Sequence, residues 1–217
     1  MKRIGLWQYV LRVLCGTGLV LLAFSNTSAA EENKRGEQLF ELCSQCHGLQ
    51  GEGMALSLAP SIAGLELWSL EAQLRKFRDG ARGIHHEDIA GMRMRPMSMW
   101  LKTDEDLVAV ANYVSSLTPV TSEATIEGGD ATKGKALYGL CQSCHGANGE
   151  GLQPLNAPKL TNHTDWYLKT QIYNFKTGIR GSNPKDTTGA LMRPMAMALA
   201  NDQAINDVIS YIMTLSK

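Results

Sequence analysis

Apolar residues recur along this chain at the spacing of helices, and no run alternates at the spacing of a half-buried strand. Gly36, Leu39, Phe40, Leu42 and Cys43 follow polar Asn33 on helical spacing and predict a helix over 33–46. Leu70, Leu74 and Phe77 stand at i, i+4 and i+7, which predicts an amphipathic helix over 69–77 ended by Gly80. Leu107, Val110, Ala111, Val114 and Leu117 form a third stripe over 104–117. Thr103-Asp104-Glu105-Asp106 supplies its cap and a negative charge favourable at a helix start. The last stripe of the chain repeats the third, with Asp202, Ile205, Val208, Ile209, Ile212 and Leu215. Three helices and long loops per unit make the expected fold class all-α.

The units are copies. At a fixed offset of 98 residues, Gly51-Glu52-Gly53 matches Gly149-Glu150-Gly151 and Ala59-Pro60 matches Ala157-Pro158. Trp68 then pairs with Trp166, Phe77 with Phe175, Arg82-Gly83 with Arg180-Gly181, and Tyr113 with Tyr211. A period of this length is too long for a solenoid unit of about 20–50 residues and marks a duplicated domain. The expected organisation is a leader over 1–30, a first domain over 31–118, a linker over 119–130 and a second domain over 131–217. The linker is polar, with Pro119, Gly128 and Gly129, and is long enough to cross between domains. Each copy is small for a self-sufficient core, so additional apolar mass is expected inside it.

The candidate for that mass lies at the end of the first predicted helix. Cys43-Ser-Gln-Cys46-His47 and Cys141-Gln-Ser-Cys144-His145 are each a Cys-x-x-Cys-His motif, the attachment pattern of a covalently held haem. Residues three apart share a helix face, so both thiols can meet one porphyrin edge, and the following histidine can offer a ring nitrogen to iron. A structural zinc site would need a second ligand pair at short range, and after His47 the next Cys or His is His85. A thioredoxin-like disulfide would have no use for the trailing histidine. Each copy is therefore expected to wrap around one haem c, with His47 and His145 as axial ligands.

A second axial ligand would close each iron. Methionine thioether is a soft ligand that raises the potential, and seven of the chain's 10 Met cluster before the last helix of each copy. Met94, Met97 and Met99 repeat as Met192, Met195 and Met197, whereas Met92 faces Ala190. The stretch contains Pro96 or Pro194 and is expected to be a stiffened loop. His85 and His86 have no histidine counterpart, facing Asn183 and Pro184, and His163 is expected at the surface. Arg82 and Arg180 suit haem carboxylates, since a guanidinium matches their geometry, and Trp68 and Trp166 suit pocket walls.

The motif order is specific: Cys-x-x-Cys-His, Gly-x-Gly, Ala-Pro, Trp-x-Leu-x-x-Gln, Phe-x-x-Gly-x-Arg and the late methionines. Nearly all of the chain beyond residue 30 resembles the dihaem cytochrome c4 family. The resemblance implies two tandem small helical cytochrome c domains, each around one covalent haem. It also implies Met94 and Met192 as sixth ligands, each seven residues before a leucine (Leu101, Leu199) that leads into the final helix. Met97 and Met195 are the reserve pair. Pro60 and Pro158 resemble the position whose carbonyl accepts the proximal histidine N–H.

Leader and charge set the compartment. Lys2 and Arg3, an apolar stretch from Val13 to Phe24 and the small residues Ser28-Ala29-Ala30 read as a secretory signal cleaved near Ala30. The stretch is shorter than the roughly 20 residues that span a bilayer, and Cys15 would leave with the leader. Beyond residue 30 the chain has 18 basic and 21 acidic side chains, which argues against nucleic acid or an acidic membrane as partner. Residues 31–118 carry 9 basic and 13 acidic side chains, the remainder 9 and 8, so the first domain is the acidic one.

The expected role is a periplasmic carrier of single electrons rather than an enzyme, reaching membranes only through its partners. By the resemblance, the donor is a quinol-oxidising complex and the acceptor a terminal oxidase. Two alternatives stand beside it. One is a dihaem enzyme of peroxidase or thiosulfate dehydrogenase type, which needs an open iron with acid–base groups beside it. The other is a subunit of a membrane oxidoreductase.

Overall fold

The structure is a computed structural model that describes residues 31–121 and 123–215. The leader assigned to residues 1–30, with Cys15, lies outside the described residues. Helix α1 covers 31–47, followed by α2 (Leu67–Arg78), α3 (Ile89–Trp100) and α4 (Asp104–Ser116). The second half repeats them as α5 (Ala131–His145), α6 (Asp165–Thr177), α7 (Thr187–Met197) and α8 (Asp202–Leu215). Among the described residues there is no strand, only isolated bridges between Met54 and Ala59 and between Leu152 and Ala157. The chain is all-α. None of the described helices is long and apolar enough to cross a membrane.

Among the described residues each half has four α-helices, not three. The methionine stretches expected as loops are helices α3 and α7, with Pro96 and Pro194 inside them. They escape a periodicity search because they have no apolar stripe packed on protein: their buried residues are Gly91 and Ser98 in α3, Gly189 and Ala196 in α7. An aspartate holds each start, Asp88 Oδ1 accepting from Gly91 N at 3.0 Å and Asp186 Oδ1 from Gly189 N at 3.2 Å. The caps expected at Thr103 is present, its hydroxyl accepting from Asp106 N at 3.1 Å.

Two separate cores match the two halves. Leu39, Phe40, Leu101, Leu107, Ala109, Val110 and Val114 form one. Tyr138, Leu168, Leu199, Ile205, Val208, Ile209, Ile212 and Met213 form the other. Where first and last helices cross, glycine lets the backbones touch: a Cβ on Gly36 would lie 2.2 Å from Ala109 O, and one on Gly134 1.9 Å from Asp207 O. This crossing anchors the helix that delivers each Cys-x-x-Cys-His motif.

The 119–130 segment is tied to the second half of the molecule at Thr125 and Ile126. Asp165, 1% exposed, accepts from Thr125 N, from Thr125 Oγ1 at 2.9 Å and from Ile126 N at 2.6 Å. The halves meet where the turn after α2 faces α6. Gln171 Oε1 accepts from Arg180 Nη1 at 2.6 Å and from Arg82 Nη2 at 3.3 Å, joining one arginine of each half.

Candidate functional site

Cys43, Cys46 and His47 fall in the last turns of α1, and Cys141, Cys144 and His145 in the last turns of α5. All four thiols are free; Cys46 and Cys144 are exposed, their partners half-buried. Burial pushes the Cys43 and Cys141 thiols each up to about 11. Among the described residues no three His, Cys, Asp or Glu side chains are grouped to hold a metal ion by themselves.

The Gly-x-Gly loop explains how each histidine is set. Gly53 N donates to His47 O at 2.7 Å and Gly151 N to His145 O at 2.8 Å, folding the chain back over the helix end. Gly53 has φ of +89°, and a Cβ there would sit 2.5 Å from Ser61 N, so only glycine lets the returning strand of chain come this close. The return brings a proline carbonyl to the ring: His47 Nδ1 donates to Pro60 O at 2.8 Å and His145 Nδ1 to Pro158 O at 2.6 Å. Burial lowers both histidine pKa values, against a smaller opposing effect of those carbonyls. Each ring is therefore neutral at pH 7, with Nδ1 committed to the carbonyl and the Nε2 lone pair left to bind a metal.

The same loop reaches the methionine helix, since Arg93 Nη1 of α3 donates to Ser57 O at 3.2 Å. On α3 and α7, Met94 and Met192 are half-buried, while Met97, Met99, Met195 and Met197 are exposed. Because α3 and α7 bury only small residues against protein, their methionines are not core side chains. A helix of that kind needs another apolar body to pack on. Free thiols on one helix end, a neutral imidazole oriented by a carbonyl and a methionine helix with no core of its own fit a c-type haem.

Arg82 and Arg180 are buried, 6% and 8% exposed, not solvated. Each guanidinium lies over a ring of its own half, 4.2 Å from Phe77 and 4.3 Å from Phe175. Each Nε lacks a hydrogen-bond partner. Burial, then the neighbouring Arg82 charge, pushes the Arg180 pKa down to about 9. Two like charges brought together out of water call for an anion. Trp68 and Trp166 are half-buried on α2 and α6.

His163 is not the surface residue expected. Its Nδ1 is buried without a partner, and burial, against the backbone of Lys159 and Ser61, pushes its pKa down to about 4. His85 and His86 stack on each other at 4.7 Å. Sequence reading passed over Asp88 and Asp186, although they recur at the offset of 98 and precede Gly91 and Gly189 by three residues. It also passed over Lys76, which has no counterpart and so gave no signal: Asn174 stands in its place.

Comparison with known proteins shows the family. The cytochrome c family model matches residues 33–118 and again 131–216. Cytochrome c4 of Azotobacter vinelandii is 30% identical over 86% of this chain and 90% of its own. A thiosulfate dehydrogenase electron acceptor of Stutzerimonas stutzeri is 29% identical over 81% of this chain and 79% of its own. Among solved structures, reduced cytochrome c4 from Pseudomonas stutzeri superposes with a TM-score of 0.67 at 28% identity, covering 83% of this chain and 96% of that one. A thiosulfate dehydrogenase from Marichromatium purpuratum also gives 0.67 at 28% identity, covering 84% of this chain but 40% of that one. The paired motifs and paired domains thus carry two covalently bound haem c groups, and the chain belongs to the cytochrome c family as a dihaem member of the cytochrome c4 type.

Proposed function

We propose that this protein is an exported, periplasmic electron carrier in which both haem irons are closed by histidine and methionine. The observation that carries the reading is the pairing, in each half, of a neutral carbonyl-oriented histidine with a methionine helix that has no protein core. Cys43 and Cys46 hold one haem and Cys141 and Cys144 the other. His47 and His145 are the proximal ligands, and Met94 and Met192 the distal ones, with Met97 and Met195 in reserve. Half-burial of Met94 and Met192 supports that choice, since a ligand must be held rather than free in solvent.

When bound, each haem supplies a one-electron ferric/ferrous couple. The chain's residues set the conditions for it. Pro60 and Pro158 fix the imidazole orientation and increase its donation to iron. Arg82 and Arg180 hold haem carboxylates where the halves meet, which favours passage of an electron from one half to the other. By the family resemblance, the donor is a quinol-oxidising complex and the acceptor a terminal oxidase. The acidic first domain suits a basic patch on one of them.

The test is the near-infrared methionine-to-iron band of the ferric protein. Met94→Ala and Met192→Ala should each remove about half of it, one of two sites. A band that survives both changes would overturn the ligand assignment. Kinship with thiosulfate dehydrogenases keeps an enzymatic reading in view. Rapid cyanide binding by the resting ferric protein would favour that reading, because a closed iron binds cyanide slowly.

A further inference from the structure

The halves are copies, but they are not joined symmetrically. Four bonds run from the end of α2 and the turn after it, in the first half, to the segment that enters α7. Asn183 Nδ2 donates to Gly80 O at 2.8 Å and Lys185 Nζ to Asp79 O at 3.1 Å. Lys76 Nζ donates to Asp186 Oδ1 at 2.6 Å and to Thr188 Oγ1 at 2.5 Å. The Asp186 side chain is fully buried and that of Lys76 is 19% exposed. Burial pushes the Asp186 carboxyl up, but Lys76 and Arg180 outweigh it and hold it below its ordinary value. The pair is therefore ionised at neutral pH and largely out of water.

The reverse set of bonds is missing. At the offset of 98, the first half presents His85, Glu87, Asp88 and Ala90 where the second presents Asn183, Lys185, Asp186 and Thr188. They would have to meet Asn174, Thr177 and Gly178 at the end of α6. Asn174 carries no charge to answer Asp88, and Glu87 would bring a carboxylate to helix-end carbonyls that favour a cation. Among the described residues none of these bonds forms. His85 instead accepts from Glu87 N at 3.2 Å and stacks on His86, within its own loop.

We propose that Lys76 is a positioning residue of the second haem site: the first half clamps the first turn of α7, the helix of Met192, while α3, the helix of Met94, has no reciprocal clamp. This rests on the ligand reading above, in which Met192 closes the second iron. Six residues separate Asp186 from Met192, under two helical turns, so an α7 start held rigidly keeps the thioether in place. Ligation in the second half then depends on the halves being docked, and ligation in the first does not.

The test uses the two-haem protein and Lys76→Asn, which installs the residue found at the equivalent place in the other half. The first readout is amide hydrogen exchange at Gly189 and Ala190, which donate to Asp186, against Gly91 and Met92, which donate to Asp88. We expect at least about tenfold faster exchange in α7 and no change in α3, the size set by breaking a largely buried ion pair. Unchanged exchange in α7, or equal acceleration in both helices, overturns the clamp. The second variant, Lys76→Asn with Asp186→Asn, leaves no stranded carboxylate while asparagine still caps α7. The contrast between α7 and α3 must persist in it; if it disappears, a buried unpaired charge caused the first result and the clamp is overturned. The second readout is guanidinium loss of the near-infrared band, with Met192→Ala assigning the second half's share. That share should vanish at lower denaturant in Lys76→Asn while the Met94 share holds. If Met192→Ala leaves the band whole, the ligand reading fails, and the exchange data decide the clamp by themselves.

Discussion

Gly134→Ala isolates the contact on which the second haem motif depends. A Cβ at this position of α5 would lie 1.9 Å from Asp207 O, 2.6 Å from its carbonyl carbon and 3.0 Å from Tyr211 Cβ. Real Cβ contacts essentially never fall under 3.0 Å, so α5 and α8 must part by about 1 Å or more. A gap of that size forfeits a quarter to a half of the dispersion energy across the crossing, where Tyr138, Ile205, Val208, Ile209 and Ile212 are packed. The atom struck is backbone and cannot rotate away, which puts the cost near the upper end for overpacking, about 3 kcal/mol. For a domain of this size that is a fall of roughly 15 °C in the midpoint of the second half's thermal transition. The control sits on the same helix. Gly139 has nothing within 4 Å of its would-be Cβ, so Gly139→Ala should stabilise by about 0.5–1 kcal/mol through helix propensity alone. Thermal unfolding of the two-haem protein, followed by near-ultraviolet circular dichroism, reads both. The reasoning is refuted if Gly134→Ala costs no more than Gly139→Ala, or if both destabilise alike.

Three further outcomes follow from differences between the copies or from charge. Tyr138→Phe installs the side chain that Phe40 provides in the first half and removes a 2.7 Å hydrogen bond from its hydroxyl to Gly146 O; it should cost about 1 kcal/mol in guanidinium unfolding, and an unchanged midpoint would count against that bond. Leu58 adopts the left-handed region at φ 55°, where Asn156 stands in the other copy at φ 50°, so Leu58→Asn should raise the first half's stability by about 1 kcal/mol; a loss would show that the leucine side chain matters more than its backbone strain. The Asp186 carboxyl is held below its ordinary pKa by Lys76 and Arg180 despite its burial. Its contribution is therefore present above the unfolded value of about 3.9 and lost as pH falls through the folded one. The thermal midpoint should drop on acidification below about pH 4, and less steeply in Asp186→Asn; equal slopes would contradict the assignment.

Much of the candidate site could be read from residue order because its chemistry is local. Two thiols three residues apart and a histidine beside them need one helix turn to come together, and the chain writes that turn twice. The stripes of α2, α4 and α8 were legible for the same reason, since their apolar side chains pack on protein and leave a periodic trace. Helices α3 and α7 leave no such trace, because what they bury against protein is glycine, serine and alanine. Their helical state is decided by aspartate caps and tertiary packing, against the presence of an internal proline.

The amino-acid sequence by itself determined the all-α class, the duplication and two haem attachments. Tertiary structure alone decided that Arg82 and Arg180 are withdrawn from water, that His163 is half-buried with its Nδ1 shielded from solvent, and that, among the described residues, Lys76 meets Asp186 with no reciprocal pair. The physical reason is separation along the chain. Lys76 and Asp186 are 110 residues apart, and Asn183 and Gly80 are 103 apart, so no periodicity or spacing records their meeting. Only the docking of one folded half against the other brings such groups within hydrogen-bond distance, and burial there then fixes their charge.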